Sequence, residues 1–242
     1  MAANVKNILV GAAQLFVSTG NGSNRPSTVP GSGDLAWGTQ KAAGYLNGKT
    51  AWRDLGYTNQ GLEVSYEPGY GEVMVDQLLD AARLFKQTIK VMLKTELTEA
   101  TLENIHIVFG QGDQYVTYSG SVGASSNTLT TASSATAAAA NAKLNLAAGA
   151  LGDAPVERSL VAIGNAPGNI GTEATPIDVS ATTMKERIYV ARRVVQVEVT
   201  SHALKRDTAT VFPVQFRCLP DDKDDYDGAE YGVIVDRVYS TL

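Results

Sequence analysis

Leu62-Glu63-Val64-Ser65-Tyr66-Glu67 alternates apolar and polar side chains without a break. Successive side chains of a strand point to opposite faces, so this period of two marks a strand with one face covered and one face wet. Leu62, Val64 and Tyr66 are expected toward a core, and Glu63, Ser65 and Glu67 toward water. Pro68, which has no N–H to donate, is expected to close the strand. Downstream, Ile89-Lys90-Val91-Met92-Leu93-Lys94 returns to the same period.

Strand signals recur at both ends of the chain. Asn7 to Val17 reads as one or two strands, and Ser159 to Ile163, Glu186 to Thr200, Val211 to Cys218 and Tyr231 to Tyr239 as further ones. Trp52 to Gly61 reads as a turn-rich passage. Glu72 to Gln87 fits two patterns: Val73, Gln77, Ala81 and Leu84 make a helical stripe, yet Val73 to Val75 suits a strand equally. Thr98 offers an N-cap with Glu99 in the first turn, Leu102, Ile105 and Phe109 follow at helical spacing, and Gly110 suits the C-cap. One helix is therefore expected from Thr98 to Phe109. The Pro- and Gly-containing stretch from Ala166 to Gly171 reads as a loop.

Two segments stand apart by composition. Residues 18–51 are rich in Gly, Ser, Asn, Pro and Thr, and residues 119–151 are largely Ser, Thr, Ala, Gly and Asn. Neither carries enough large apolar side chains to offset the entropy of ordering it. The first is expected to be a long loop and the second a solvated insertion, although Ala135 to Leu151 has helix propensity. The pattern predicts a mainly β domain spanning 1–242, two packed β-sheets in a sandwich or barrel with one flanking α-helix.

Composition narrows the function classes. The 242 residues include 44% hydrophobic and 19% charged side chains, which suits a folded core, and the net charge is −5. An acidic chain without a basic run is poorly suited to clamping nucleic acid or an anionic membrane surface. No apolar run approaches the roughly 20 residues of a membrane-spanning helix, and the N-terminus lacks a signal-peptide pattern, so a soluble protein made in a cytoplasm is expected. The single cysteine, Cys218, rules out an intrachain disulfide and a Cys-based zinc cage. Alternation puts it with Val214 and Phe216, as a buried thiol.

No constellation carries chemistry. His106 falls beside Ile105 on the expected helix and reads as a packed side chain; His202 lies at a strand end, and neither has a partner at metal-ligand spacing. There is no G-x-S-x-G elbow. Gly110-Gln111-Gly112-Asp113 follows a helix instead of opening one, so it lacks the N-terminus that binds phosphate. Asp221 to Gly228 is acidic but lacks the spacing of a calcium loop. A non-enzymatic protein without cofactor or metal is expected.

Three passages together resemble the tail tube family of long-tailed (siphovirus-type) bacteriophages. They are Asp54 to Tyr66, a polar turn leading into an alternating strand; Val75-Asp76-Gln77 with Leu97-Thr98-Glu99-Ala100-Thr101-Leu102-Glu103-Asn104-Ile105; and Phe212 to Asp221 followed by Tyr231-Gly232-Val233-Ile234. The resemblance covers the chain from about residue 50 to the end. It implies a virion protein, assembled in the host cytoplasm into stacked hexameric rings, the tail tube. Its partners would be copies of itself, the tape-measure, tail terminator and distal tail proteins, and DNA in transit through the lumen.

On that basis Glu63, Ser65 and Glu67 are expected to line the lumen, and Leu35, Trp37 and Tyr45 in the first long loop to anchor the next ring. Deleting Asn21 to Asn47 is then expected to leave a folded subunit that cannot stack. The alternatives are another phage-like structural subunit (tail terminator, head decoration or secretion-type tube protein) and a carbohydrate-binding β-sandwich. Negative-stain microscopy separates the first, and a glycan array the second.

Overall fold

The computed structural model of the chain describes residues 9, 11, 13–18, 52–77, 79–112, 115–119, 141–148, 151–167, 170–171, 176–177, 183–198, 201–204, 206–207, 209–222 and 227–240. The elements run β1 (Gln14–Ser18), β2 (Trp52–Asp54), β3 (Thr58–Val73), β4 (Arg83–Leu97), α1 (Leu102–Val108), β5 (Val116–Ser119), β6 (Asn141–Leu144) and β7 (Glu157–Asn165). After these come β8 (Ile170–Gly171), β9 (Pro176–Ile177), β10 (Thr183–Gln196), β11 (Phe212–Leu219) and β12 (Gly232–Ser240). The protein is mainly β with one flanking helix, as its alternation predicts.

Eight of these strands form one antiparallel sheet in the order β2-β1-β7-β10-β11-β4-β3, with β12 also paired to β10. Strand β10 explains how a single hydrogen-bonded sheet makes two layers. One of its edges faces β7 along most of its length. The other faces β12 as far as Ala191 and then β11 from Arg193 onward. A register break between Ala191 and Val194 marks the change. Such irregularities bend a strand and sharpen its twist, so β11, β4 and β3 swing across from β1 and β7.

The main core lies between the two halves. Leu15, Val17, Leu160 and Ala162 from one side pack in the same cluster as Leu93, Leu97, Phe212, Val214 and Phe216 from the other. Cys218 is part of it, and burial pushes its thiol up to about 12. The opposite face of β1, β7 and β10 carries a second cluster of Phe16, Val161, Ile163, Ile188 and Val190. That is why Ser159 to Ile163 reads as an unbroken buried run: both faces of β7 are covered.

Helix α1 closes one end of the main core with Ile107 and Val108. Its N-cap is Thr101, whose hydroxyl accepts from the Asn104 N–H, and not Thr98 as the sequence suggests. Thr98 is still in the strand connection, where both its N–H and its hydroxyl donate to the Tyr57 carbonyl. Arg158 reaches under the helix from β7. Its guanidinium donates to the carbonyls of Ser18 and Gln111 and lies 3.1 Å from His106 Nε2. His106 is therefore a packed side chain.

Three other expectations change. Pro68 does not end its strand: β3 continues to Val73, because β3 is the outermost strand of the sheet, where a missing N–H is tolerated. The turn-rich passage from Trp52 contains β2, and Asn141–Leu144, within the segment expected as a solvated insertion with helix propensity at its Ala-rich end, is a strand paired with β5. Alanine propensity is outweighed there by pairing to Val116–Ser119. Residues 19–51 and 120–140, most of both compositional insertions, lie outside the described residues.

Beyond the bend, β12 is held to β10 by a two-bond ion pair, Arg187 to Asp236, at 2.6 and 2.7 Å. That hydrogen bonding holds the guanidinium above its ordinary range. Gly232 starts β12 at φ +142°, with the position of a Cβ only 1.9 Å from the Val190 carbonyl oxygen. Gly232→Ala is expected to cost at least about 2 kcal/mol, since a backbone held in a disfavoured region costs of order 1–3 kcal/mol before any clash. Urea unfolding checks this: an unshifted midpoint would show that β12 adjusts freely.

Candidate assembly surface

Strands β3 and β4 pair along their whole length, from Thr58 opposite Leu97 to Val73 opposite Arg83. The third strand, β11, supports only the base of this hairpin, its last pair being Cys218 with Val91. Beyond it residues 83–90 of β4 and their β3 partners form a two-stranded arm, about 26 Å long at roughly 3.3 Å per residue. A two-stranded hairpin is at best marginally stable in water by itself.

The register assigns the two faces of the β3–β4 hairpin. On the face continuous with the main core, Leu62, Val64, Tyr66 and Pro68 stand opposite Thr95, Leu93, Val91 and Ile89. Leu62 packs against the core, but Val64 is exposed, and Tyr66 and Tyr70 are 57% and 59% exposed. The alternation thus points these side chains the right way, and the core ends before it reaches them. The Lys86 ammonium donates to the Tyr66 hydroxyl at 2.8 Å and sits 5.5 Å from its ring centre. This hydrogen bond holds the ammonium above its ordinary range.

Glu63, Ser65 and Glu67 share the other face, with Glu63 and Glu67 exposed. They do not make it acidic. Lys94 stands directly opposite Glu63, and Lys90 opposite Glu67. Further out the register shifts between Gly69 and Tyr70, with one extra residue on β4. Past the shift the Phe85 ring lies over Gly71, its nearest atom 2.5 Å from where a Cβ would stand, so any side chain at residue 71 would displace it. Phe85 remains exposed, as do Leu84 and, toward the turn, Met74 and Leu79.

The arm therefore presents apolar side chains on both faces and at its end. Comparison of the chain with protein-family models and with curated protein sequences finds no match.

Among the described residues no three His, Cys, Asp or Glu side chains gather as a metal site, and no helix is long and apolar enough to cross a membrane. His202 stacks between Phe109 and Phe212, with ring centres 6.0 and 4.7 Å away. An open cavity of about 500 Å³ is lined by Gln111, Tyr115, Asp153 and Glu157 among others. Glu157 is already engaged by Arg193 through bonds of 2.6 and 3.0 Å.

Of the residues singled out from sequence, Glu63, Ser65 and Glu67 fall together on one face of the β3–β4 hairpin, only Glu67 within the arm, and Leu35, Trp37 and Tyr45 lie outside the described residues. Sequence reasoning missed Tyr70, Leu84 and Phe85 as exposed arm residues, and the lysines facing the glutamates. The lysines at 90 and 94, spaced like Glu63 and Glu67, were the available signal.

Proposed function

We propose that the chain is a structural subunit that assembles with copies of itself into stacked rings, the tail tube of a siphovirus-type bacteriophage. The observation that carries this reading is the exposed arm. An apolar two-stranded projection is an aggregation liability on a free monomer and a contact surface in an assembly. The tube would sit in the virion tail after assembly in the host cytoplasm. It would enclose the tape-measure protein, end on tail terminator and distal tail proteins, and pass DNA without chemistry.

Purified protein viewed by negative stain should form rings or tubes, with contacts burying more than roughly 1,000 Å². A strict monomer in sedimentation at all concentrations, even with tail-initiation components added, overturns the proposal. Isolated rings or particles without tubes would favour another phage-like subunit. A carbohydrate-binding module is supported only by Tyr66 and Tyr70 on one face of the β3–β4 hairpin, and a glycan array tests it.

For the lumen we assign the face of Glu63, Ser65 and Glu67. Its carboxylates are matched one for one by Lys94 and Lys90, so DNA would meet a wall with no excess of cations there. Replacing both glutamates by lysine (E63K/E67K) would gather four lysines on that patch. Assembled variant tubes are expected to retain DNA at low salt and release it as salt rises. Direct Lys–Lys opposition should also weaken the β3–β4 hairpin by a few tenths of a kcal/mol to about 1 kcal/mol. Tubes of the variant that show no DNA retention at any salt would place this face away from the lumen.

A further inference from the structure

The arm has a free edge on each of its strands. Among the described strands β3 is outermost, and β4 has no second neighbour over residues 83–90, past its last pair with β11. The two edges carry opposite charge. Residues 66–73 of β3 hold Glu67 and Glu72 and no base, whereas residues 83–90 of β4 hold Arg83, Lys86 and Lys90 and no acid. Glu67 is matched within the arm by Lys90, but the charges nearer the tip are not matched across the hairpin. Glu72 stands opposite Leu84, Arg83 opposite Val73, and Lys86 opposite Tyr70. The Lys86 ammonium donates to the Tyr66 hydroxyl. An ammonium has three N–H donors, so that bond leaves others for a carboxylate.

We propose that residues 69–73 of β3 in one copy add to the free edge of β4 at residues 83–88 in the next, so that neighbouring arms form one continuous antiparallel sheet. In a ring every copy has the same orientation about one axis. Because β3 and β4 are antiparallel, that symmetry sets the β3 edge of each arm beside the β4 edge of its neighbour in antiparallel sense. Pro68, which has no N–H to donate, lies just outside the paired stretch. Each arm gains a strand on both sides, which supplies the third strand that an isolated hairpin lacks. Glu72 then meets an edge carrying Arg83 and Lys86. Pairing β3 with β3 would instead gather acids, and β4 with β4 would gather bases. Strand β12 is another long edge, but pairing it with β3 would leave residues 83–90 of β4 open in every copy. Its one acid and one base, Asp236 and Arg237, also give it no charge to complement Glu72. The inference rests on the self-assembly proposed above.

Charge reversal tests it. E72K makes the outer part of both edges basic, and R83E/K86E makes it acidic on both. Each variant alone is expected to associate roughly tenfold or more weakly than the parent in sedimentation at low salt. An equimolar mixture of the two should recover rings or tubes, because every edge then meets its complement. Circular dichroism checks that each variant is folded. A second measurement uses the unaltered protein, so a misfolded variant does not leave the matter open. Carbodiimide, which condenses a carboxylate with an amine, should join Glu72 of one chain to Lys86 of another in a mixture of isotope-labelled and unlabelled copies. If R83E/K86E associates like the parent, if the mixture of folded variants fails to recover, or if the assembled parent shows no such link between chains, the edge assignment is overturned and self-assembly stands. Absence of any association of the parent overturns both.

Discussion

Removing the outer arm is expected to abolish assembly while leaving the subunit folded. Pro68 and Ile89 face each other in the β3–β4 register, so residues 69–88 can be replaced by an Asn-Gly pair, which suits a two-residue hairpin turn. The deletion removes Tyr70, Leu84 and Phe85, all exposed in the free subunit, together with the apolar end at Met74 and Leu79. No member of the main core is lost. At roughly 1.5–3 kcal/mol for each large apolar side chain buried in a contact, association should weaken by several kcal/mol. That corresponds to on the order of a thousandfold or more. Circular dichroism and the urea midpoint should stay close to those of the parent, and microscopy should show neither rings nor tubes. Full-length tubes from the truncated chain would show that the arm is not the contact.

Phe216→Ala is the complementary case, with a large loss of stability at a residue that touches no surface. Phe216 is 2% exposed, in the middle of β11, where the two halves of the sheet meet over the main core. Truncating a buried phenylalanine removes its transfer free energy and leaves a cavity, for a cost of about 3–5 kcal/mol. That is a large share of the roughly 5–15 kcal/mol typical of a folded domain. The urea midpoint should fall in proportion, with the slope unchanged. A midpoint within error of the parent would mean that the contact between the two halves contributes little to stability.

Together the two variants separate what holds the fold from what the proposed assembly would need. Leu93 and Val64 are paired neighbours in register on the same face, yet Leu93 is 4% exposed and Val64 is 42% exposed. Their side chains are chemically alike. What differs is whether a second layer reaches over them.

Local chemistry was enough to read most of the elements. The alternation at Leu62 to Glu67, Ile89 to Lys94 and Phe212 to Cys218 follows from a period of two that the backbone of a strand imposes, so it can be read without knowing the partner. The helix was legible for the same kind of reason, although its cap was placed three residues early. Thr98 and Thr101 are both competent caps, and only the hydrogen bonds to Tyr57 keep Thr98 in the strand connection. The surface proposed for assembly was legible only in part: the face of Glu63, Ser65 and Glu67 could be drawn, but not its neutralisation by Lys90 and Lys94. Cross-strand opposition depends on register, and register depends on the whole sheet.

The amino-acid sequence by itself determined a mainly β protein with a short helix and a buried thiol at Cys218, because periodicity and side-chain hydrophobicity are properties of neighbours along the chain. Tertiary structure alone decided that β10 serves two layers, that β3 is an edge on which Pro68 is tolerated, and that the arm runs past its last support at Cys218 opposite Val91. Each of these depends on which distant strand supplies the hydrogen bonds and the covering side chains. That choice is made by packing among residues far apart in the chain, and no local pattern records it.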